Sequence, residues 1–129
     1  MTNQNPTLTA ANIRYLLVIR ELDTEKRGAR CIDVAKALGV TKPSVTTMSH
    51  TLRGFGLVTK EKYGTVHLTK IGREKAEWYA ACLELLLSQF ENMLGSPGID
   101  CRNAAYTVLA ELPEENLWEL YRRLSSEKQ

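Results

Sequence analysis

No part of the chain comes near the ~18 to 20 consecutive apolar residues that a membrane-spanning helix requires, so no membrane partner is expected. Residues 1–7 are polar and lack the apolar stretch of a secretory signal, which makes a cytoplasmic protein the expectation. The three cysteines, Cys31, Cys82 and Cys101, are odd in number, widely spaced and form no Cys-x-x-Cys pair. That spacing suits reduced thiols better than a disulfide framework or a structural zinc site. There are two histidines, and neither His50 nor His67 lies beside a nucleophile and an orienting acid. No glycine-rich phosphate loop is found among the eight glycines, so no enzyme is expected.

The 129 residues are 43% apolar and 25% charged, ordinary values for one compact domain or a small domain with a helical arm. The net charge of +2 hides a split. Residues 1–73 carry 12 Lys and Arg against 5 acids, or +7, and residues 74–129 carry 5 against 10, or −5. A basic N-terminal part joined to an acidic C-terminal part points to a polyanion-binding module on a different kind of element.

The most informative stretch is residues 32–55. Val34, Ala35 and Leu38 give a short helix an apolar stripe, and Gly39 ends it because glycine enters the left-handed region cheaply. Thr41 caps a second helix with Pro43 in its first turn, and Val45, Met48, Leu52 and Phe55 recur at helical spacing toward the core. Lys42, Ser44, Thr47, His50 and Arg53 are left outward. Cations, hydroxyls and an imidazole on one helix face are the groups that reach phosphates and base edges from a major groove. The pattern reads as a helix-turn-helix, although two short amphipathic helices around a glycine turn also occur without nucleic acid.

The flanks support the DNA-binding reading. Thr9 caps a helix to about residue 22, with Ile13, Leu16, Leu17 and the stem of Arg20 at helical spacing, and a charged loop follows to Gly28. Residues 58–68 predict two short strands joined at Tyr63-Gly64, with Val58, Val66 and Leu68 inward and Lys60, Lys62 and Tyr63 near the tip. A helix, a helix-turn-helix and a basic hairpin make a winged helix. A long helix runs from Thr69 or Lys70 to about Leu94, and Ala76, Tyr79, Leu83, Leu86, Phe90 and Met93 form a heptad-like seam on it. Leu85, Leu87 and Leu94 broaden that surface beyond what a small winged helix covers, implying a partner. Gly95-Ser96-Pro97-Gly98 breaks the chain. Asp100 then caps a helix over residues 101–112, and Pro113 starts a last helix with Leu117, Leu120, Tyr121 and Leu124 in a stripe.

The order of elements resembles that of the iron- and manganese-dependent repressors, the DtxR/MntR family. The segments that carry the resemblance are residues 32–40, Lys42-Pro43-Ser44-Val45-Thr46, Gly56-Leu57-Val58, Leu68-Thr69-Lys70-Ile71-Gly72 and Gly98-Ile99-Asp100. It covers about residues 12–124 and implies a homodimer, joined through its C-terminal helices, on a double-stranded DNA operator. It also implies Mn2+ or Fe2+ as cofactor, but the family's ligand positions are not filled by ligands. The first-helix positions fall on Arg14 and Leu17, and the long-helix histidine falls near Leu83 or Glu84. The last motif lands on Tyr106, Leu109 and Ala110, or on Leu109, Leu112 and Pro113. Arginine and leucine offer no lone pair, so the metal switch reads as degenerate. A rearranged site could draw only on Cys82, Glu84, Cys101 or Glu111.

The sequence therefore predicts a mainly α fold, with a winged helix-turn-helix over residues 1–73 and a helical dimerisation arm over residues 74–129. The expected DNA contacts are Thr41, Lys42, Pro43, Ser44, Thr47, His50, Arg53, Lys60, Lys62 and Tyr63, and the expected dimer contacts are Tyr79, Leu83, Leu86 and Phe90. The expected function is a homodimeric, sequence-specific transcriptional repressor. The alternatives are a MarR-type regulator with a small molecule in the dimer crevice, and a winged helix used for protein interaction.

Overall fold

A computed structural model describes residues 7–95 and 100–127. All but Thr7 of the polar start at residues 1–7, and most of the expected break at residues 95–98, with Ile99 after it, lie outside the described residues. The helices are α1 (Ala10–Leu22), α2 (Cys31–Leu38), α3 (Lys42–Gly54), α4 (Lys70–Leu94), α5 (Arg102–Glu111) and α6 (Glu114–Glu127). Two short strands, β1 (Ala29–Arg30) and β2 (Thr65–Val66), complete the architecture, and a 3-10 turn at Thr24–Lys26 follows α1. The fold is mainly α, as the sequence predicts.

Local signals set most helix ends. Thr9 and Asn12 form a reciprocal capping box on α1: the Asn12 amide donates to Thr9 Oγ1 at 3.0 Å and the Thr9 amide to Asn12 Oδ1 at 2.9 Å. Thr69 caps α4 by accepting from the Gly72 amide at 2.9 Å, and Gly95 ends it with φ +63°. Asp100 accepts from the Arg102 amide at 3.0 Å, so α5 begins one residue later than predicted. Pro113 precedes α6 rather than opening it, and its carbonyl accepts from the Asn116 and Leu117 amides.

The hairpin differs from the sequence expectation. Its two arms meet through single bridges, Val58 with Leu68 and Lys62 with Thr65, while the regular antiparallel ladder pairs β2 with β1, matching Ala29 to Val66 and Arg30 to Thr65. The charged loop after α1 thus supplies an unpredicted third strand. The turn itself is as expected: Tyr63 at φ +56° and Gly64 at φ +77° close a two-residue loop in which Lys62 and Thr65 exchange backbone hydrogen bonds at 3.0 and 3.1 Å.

Helix α1 is the hub, packing against α2, α3, α4 and α5 with Ile13, Leu16 and Ile19 fully buried. Val45 and Leu52 of α3, and Val58, Val66 and Leu68 of the hairpin, face the same core as predicted, with Met48 and Phe55 half-buried at its edge. One buried cluster runs from Leu8 to Leu117, across residue 73. Full burial of a large apolar side chain stabilises by about 1.5–3 kcal/mol, so Ile13, Leu16 and Ile19 make α1 a large contributor to the core.

The α4 seam is covered by its own chain. Tyr79, Leu83 and Leu86 are 6%, 8% and 6% exposed, and α1, α5 and α6 pack on α4, which leaves almost none of their surface for a second copy. The expected dimer contacts at these three positions therefore have little free surface in a single copy. Phe90 is half-buried, and Leu85, expected outside the seam, is buried.

Candidate nucleic-acid interface

The approach to α3 is built by its cap. Gly39 takes φ +68°, and the Val40 amide bonds the Ala35 carbonyl at 3.0 Å, turning the chain out of α2. Thr41 Oγ1 then accepts from the Ser44 amide at 3.2 Å and lies 2.9 Å from Ser44 Oγ. Two of the expected contact residues therefore hold each other at the start of α3. Lys42, Pro43, Ser44, Thr47 and His50 are exposed, and so is Thr46, which the sequence reading missed. Arg53 is half-buried, and its Nη2 lies 3.2 Å from His50 Nδ1. A guanidinium only donates, so in this contact Nδ1 is the accepting atom.

Helix α3 and the hairpin enclose a single groove of about 380 Å³, lined by Thr46, Ser49, His50, Arg53, Lys60 and Glu61. Lys60 thus joins the α3 residues, whereas Lys62 and Tyr63 stand at the hairpin tip, Tyr63 being 92% exposed with the Lys62 ammonium 5.8 Å from its ring centroid. The tip is held from below. Glu61 Oε1 accepts from the Gly64 amide at 2.6 Å, and the Gly64 carbonyl accepts from the Cys31 amide at 2.8 Å, tying hairpin to α2. Arg30 lies exposed beside it on β1. Among the described residues no acid lies within 4 Å of the Lys42, Lys60 or Lys62 ammonium.

The base of the hairpin hangs on one buried carboxylate. Asp23, with a side chain 1% exposed, accepts from the Gly28 amide at 2.6 Å, the Leu68 amide at 3.4 Å and Arg73 Nη2 at 2.9 Å. It joins the end of α1, the loop into β1, the hairpin and α4. Sequence reading placed Asp23 in a solvated charged loop, since nothing local marks a buried acid.

The donors do not fit the divalent metal that the family resemblance implies. Arg14 is exposed and Leu17 buried on α1, Leu83 is buried and Glu84 exposed on α4, and Tyr106 and Leu109 are buried apolar positions on α5. Glu111 is exposed and Cys101 buried. Among the described residues no three His, Cys, Asp or Glu side chains stand together. The thiols are free and buried. Burial, reinforced by the negative charge of Glu114, pushes Cys82 up to about 12, and burial with the charge of Glu61 raises Cys31. Both oppose the thiolate a metal would need.

The described residues contain no helix long and apolar enough to cross a membrane. No protein-family model matches the chain. The chain is 31% identical over 124 residues to an uncharacterized HTH-type transcriptional regulator of Aeropyrum pernix, the alignment covering 90% of this chain and 65% of that protein. It therefore spans less than two thirds of that relative's length. Among solved structures it is similar to a hypothetical protein from Sulfolobus solfataricus, with a TM-score of 0.64, 26% identity and coverage of 92% and 91% of the two chains. It shares its fold with IdeR of T. acidophilum, with a TM-score of 0.60, 24% identity and coverage of 93% of this chain and 55% of that one. The chain is a mainly helical helix-turn-helix protein, similar in sequence to a transcriptional regulator.

Proposed function

We propose that the protein is a homodimeric, sequence-specific DNA-binding transcriptional regulator, a repressor of the DtxR/MntR kind without that family's metal control. The observation that carries this reading is the groove in which His50 and Arg53 of α3 face Lys60 of the hairpin, with Lys42 and Lys62 exposed on either side. Residues 1–73 read the DNA: Ser44, Thr47, His50 and Arg53 meet base edges, and Thr41, Lys42, Pro43, Lys60, Lys62 and Tyr63 meet the backbone. Residues 74–129 join two copies through apolar surface left uncovered on the arm, where Phe90 is half-buried and Met93 and Leu94 are 74% and 52% exposed. Two α3 helices then stand about 34 Å apart, one turn of DNA. The similarity to an HTH-type transcriptional regulator supports the same conclusion.

The test is binding to genomic fragments, followed by a salt titration on the selected site. Lys60→Ala with Lys62→Ala weakens all sequences alike and flattens the slope of log K against log salt by about one unit per lost phosphate contact. Mn2+, Fe2+ and EDTA leave the affinity unchanged within about twofold, since a metal that does not bind has no coupling to give. An unchanged slope in the double variant would remove the hairpin from the interface.

A further inference from the structure

A cavity of about 690 Å³ lies away from the α3 groove, between α1 and the last turn of α2 on one side and α4 and α5 on the other. This is within the ~300 to 1,000 Å³ range of small-molecule sites. Its lining includes the apolar side chains Leu17, Val18, Leu38, Ala80, Leu83 and Leu87. Its rim carries both signs of charge. Arg20 and Glu77 pair at 2.9 Å, and the hydrogen bond from Arg20 holds the Glu77 carboxyl below the usual carboxylate range, so those two compensate each other. Asp100 is engaged by the Arg102 amide, and Glu84 is on the α4 wall.

Three rim charges remain. Arg14 and Glu21 of α1 and Arg102 of α5 have no opposite charge within 4 Å among the described residues. Arg14 and Glu21 are seven residues apart on one helix face, a rise of about 10.5 Å that two long side chains reaching inward can close onto one molecule. A simple cation at this mouth faces two guanidiniums, and a simple anion faces Glu21. A ligand carrying both charges on an apolar body satisfies the rim and covers the apolar lining.

We propose that this cleft binds a small zwitterion with an apolar side chain, of the α-amino acid or short peptide class, its carboxylate held by Arg14 and Arg102 and its ammonium by Glu21. The site stands where the family resemblance would put a metal, and arginine at that position recognises a carboxylate instead. The proposal does not depend on DNA binding, because its test contains no DNA.

Calorimetric titration of the full chain, with thermal melts alongside, uses L-phenylalanine, L-leucine and the dipeptide Leu-Phe as probes, and N-acetyl-phenylalanine and phenylalanine amide as blocked controls. The free amino acids or the dipeptide are expected to bind at millimolar concentration or below, whichever source fits the volume better, and each blocked compound at least tenfold more weakly than phenylalanine. Arg14→Gln and Arg102→Gln lower affinity for phenylalanine but not for its amide, whereas Glu21→Gln lowers it for phenylalanine but not for the N-acetyl compound. These three positions are exposed, so the variants fold, as the melts verify. No heat and no melting shift with any probe at 10 mM (roughly the weak-binding limit below about 3 kcal/mol) would overturn the proposal. So would blocked compounds that bind as well as the free ones.

Discussion

Replacing Asp23 by alanine removes the one acceptor shared by the Gly28 amide, the Leu68 amide and the Arg73 guanidinium. The three contacts are not equal. The 2.6 Å bond from Gly28 is short and charge-assisted, the 3.4 Å bond from Leu68 is long and adds little, and Arg73, at 31% exposure, can turn to water once its partner is gone. Removing one partner of a fully buried ion pair costs about 3–5 kcal/mol. Because Arg73 is partly solvated, the lower end applies, and Asp23→Ala should cost about 3 kcal/mol. Arg73→Ala should cost about as much, because it leaves the buried Asp23 carboxylate with the Gly28 amide as its one short donor. Asp23→Asn should fall between wild type and Asp23→Ala: its carbonyl can still accept from Gly28, but its NH2 group cannot accept from Leu68 or Arg73. Urea unfolding followed by circular dichroism measures all three, and with an m-value of about 1–3 kcal/mol/M a loss of 3 kcal/mol lowers the midpoint by about 1–3 M. A cost below about 1 kcal/mol for Asp23→Ala, or for Arg73→Ala, would refute the clamp.

Gly72→Ala should destabilise by about 1–3 kcal/mol in the same assay, because a Cβ there collides with the backbone carbonyl of Leu57, which is fixed by a 3.0 Å bond from the Thr69 amide and cannot swing aside like a side chain; a melting temperature equal to wild type would show that α4 shifts freely. Stability should fall on the alkaline side. Burial holds Cys82 and Tyr79 protonated to about 12 in the folded chain, with the negative charge of Glu114 adding to it. Their folded pKa values are raised, so the stabilisation is complete below the unfolded pKa values and is lost as pH rises from about 9 toward 12, by up to about 1.4 kcal/mol per pH unit per group. Unfolding free energy that stays flat between pH 9 and 11 would contradict the burial of both groups, and Cys82→Ala should reduce the slope.

The groups at helix ends and turns were legible in the residues themselves. Thr9, Thr41 and Thr69 accept from amides three residues on, Gly39 acts through its left-handed backbone, and the two-residue turn at Tyr63-Gly64 depends on two backbone conformations. The exposed face of α3 followed from the 3.6-residue period, which assigns Val45 and Leu52 inward and therefore Lys42, Ser44, Thr47 and His50 outward. The tertiary structure decided what a periodic pattern cannot contain. Strand β1 is two residues long and exists only because β2 pairs with it, so Ala29 and Arg30 carry no strand signal of their own. The α4 seam showed that Tyr79, Leu83 and Leu86 would be buried but not by what, and within one chain α1, α5 and α6 supply that cover. Asp23 became a buried acceptor, and Arg14, Glu21 and Arg102 became neighbours around one cavity, through contacts between residues distant in the chain. Capping and turn energies are local and can be read from a few neighbouring residues, whereas burial and charge pairing are properties of the assembled packing and take their values only once the helices have met.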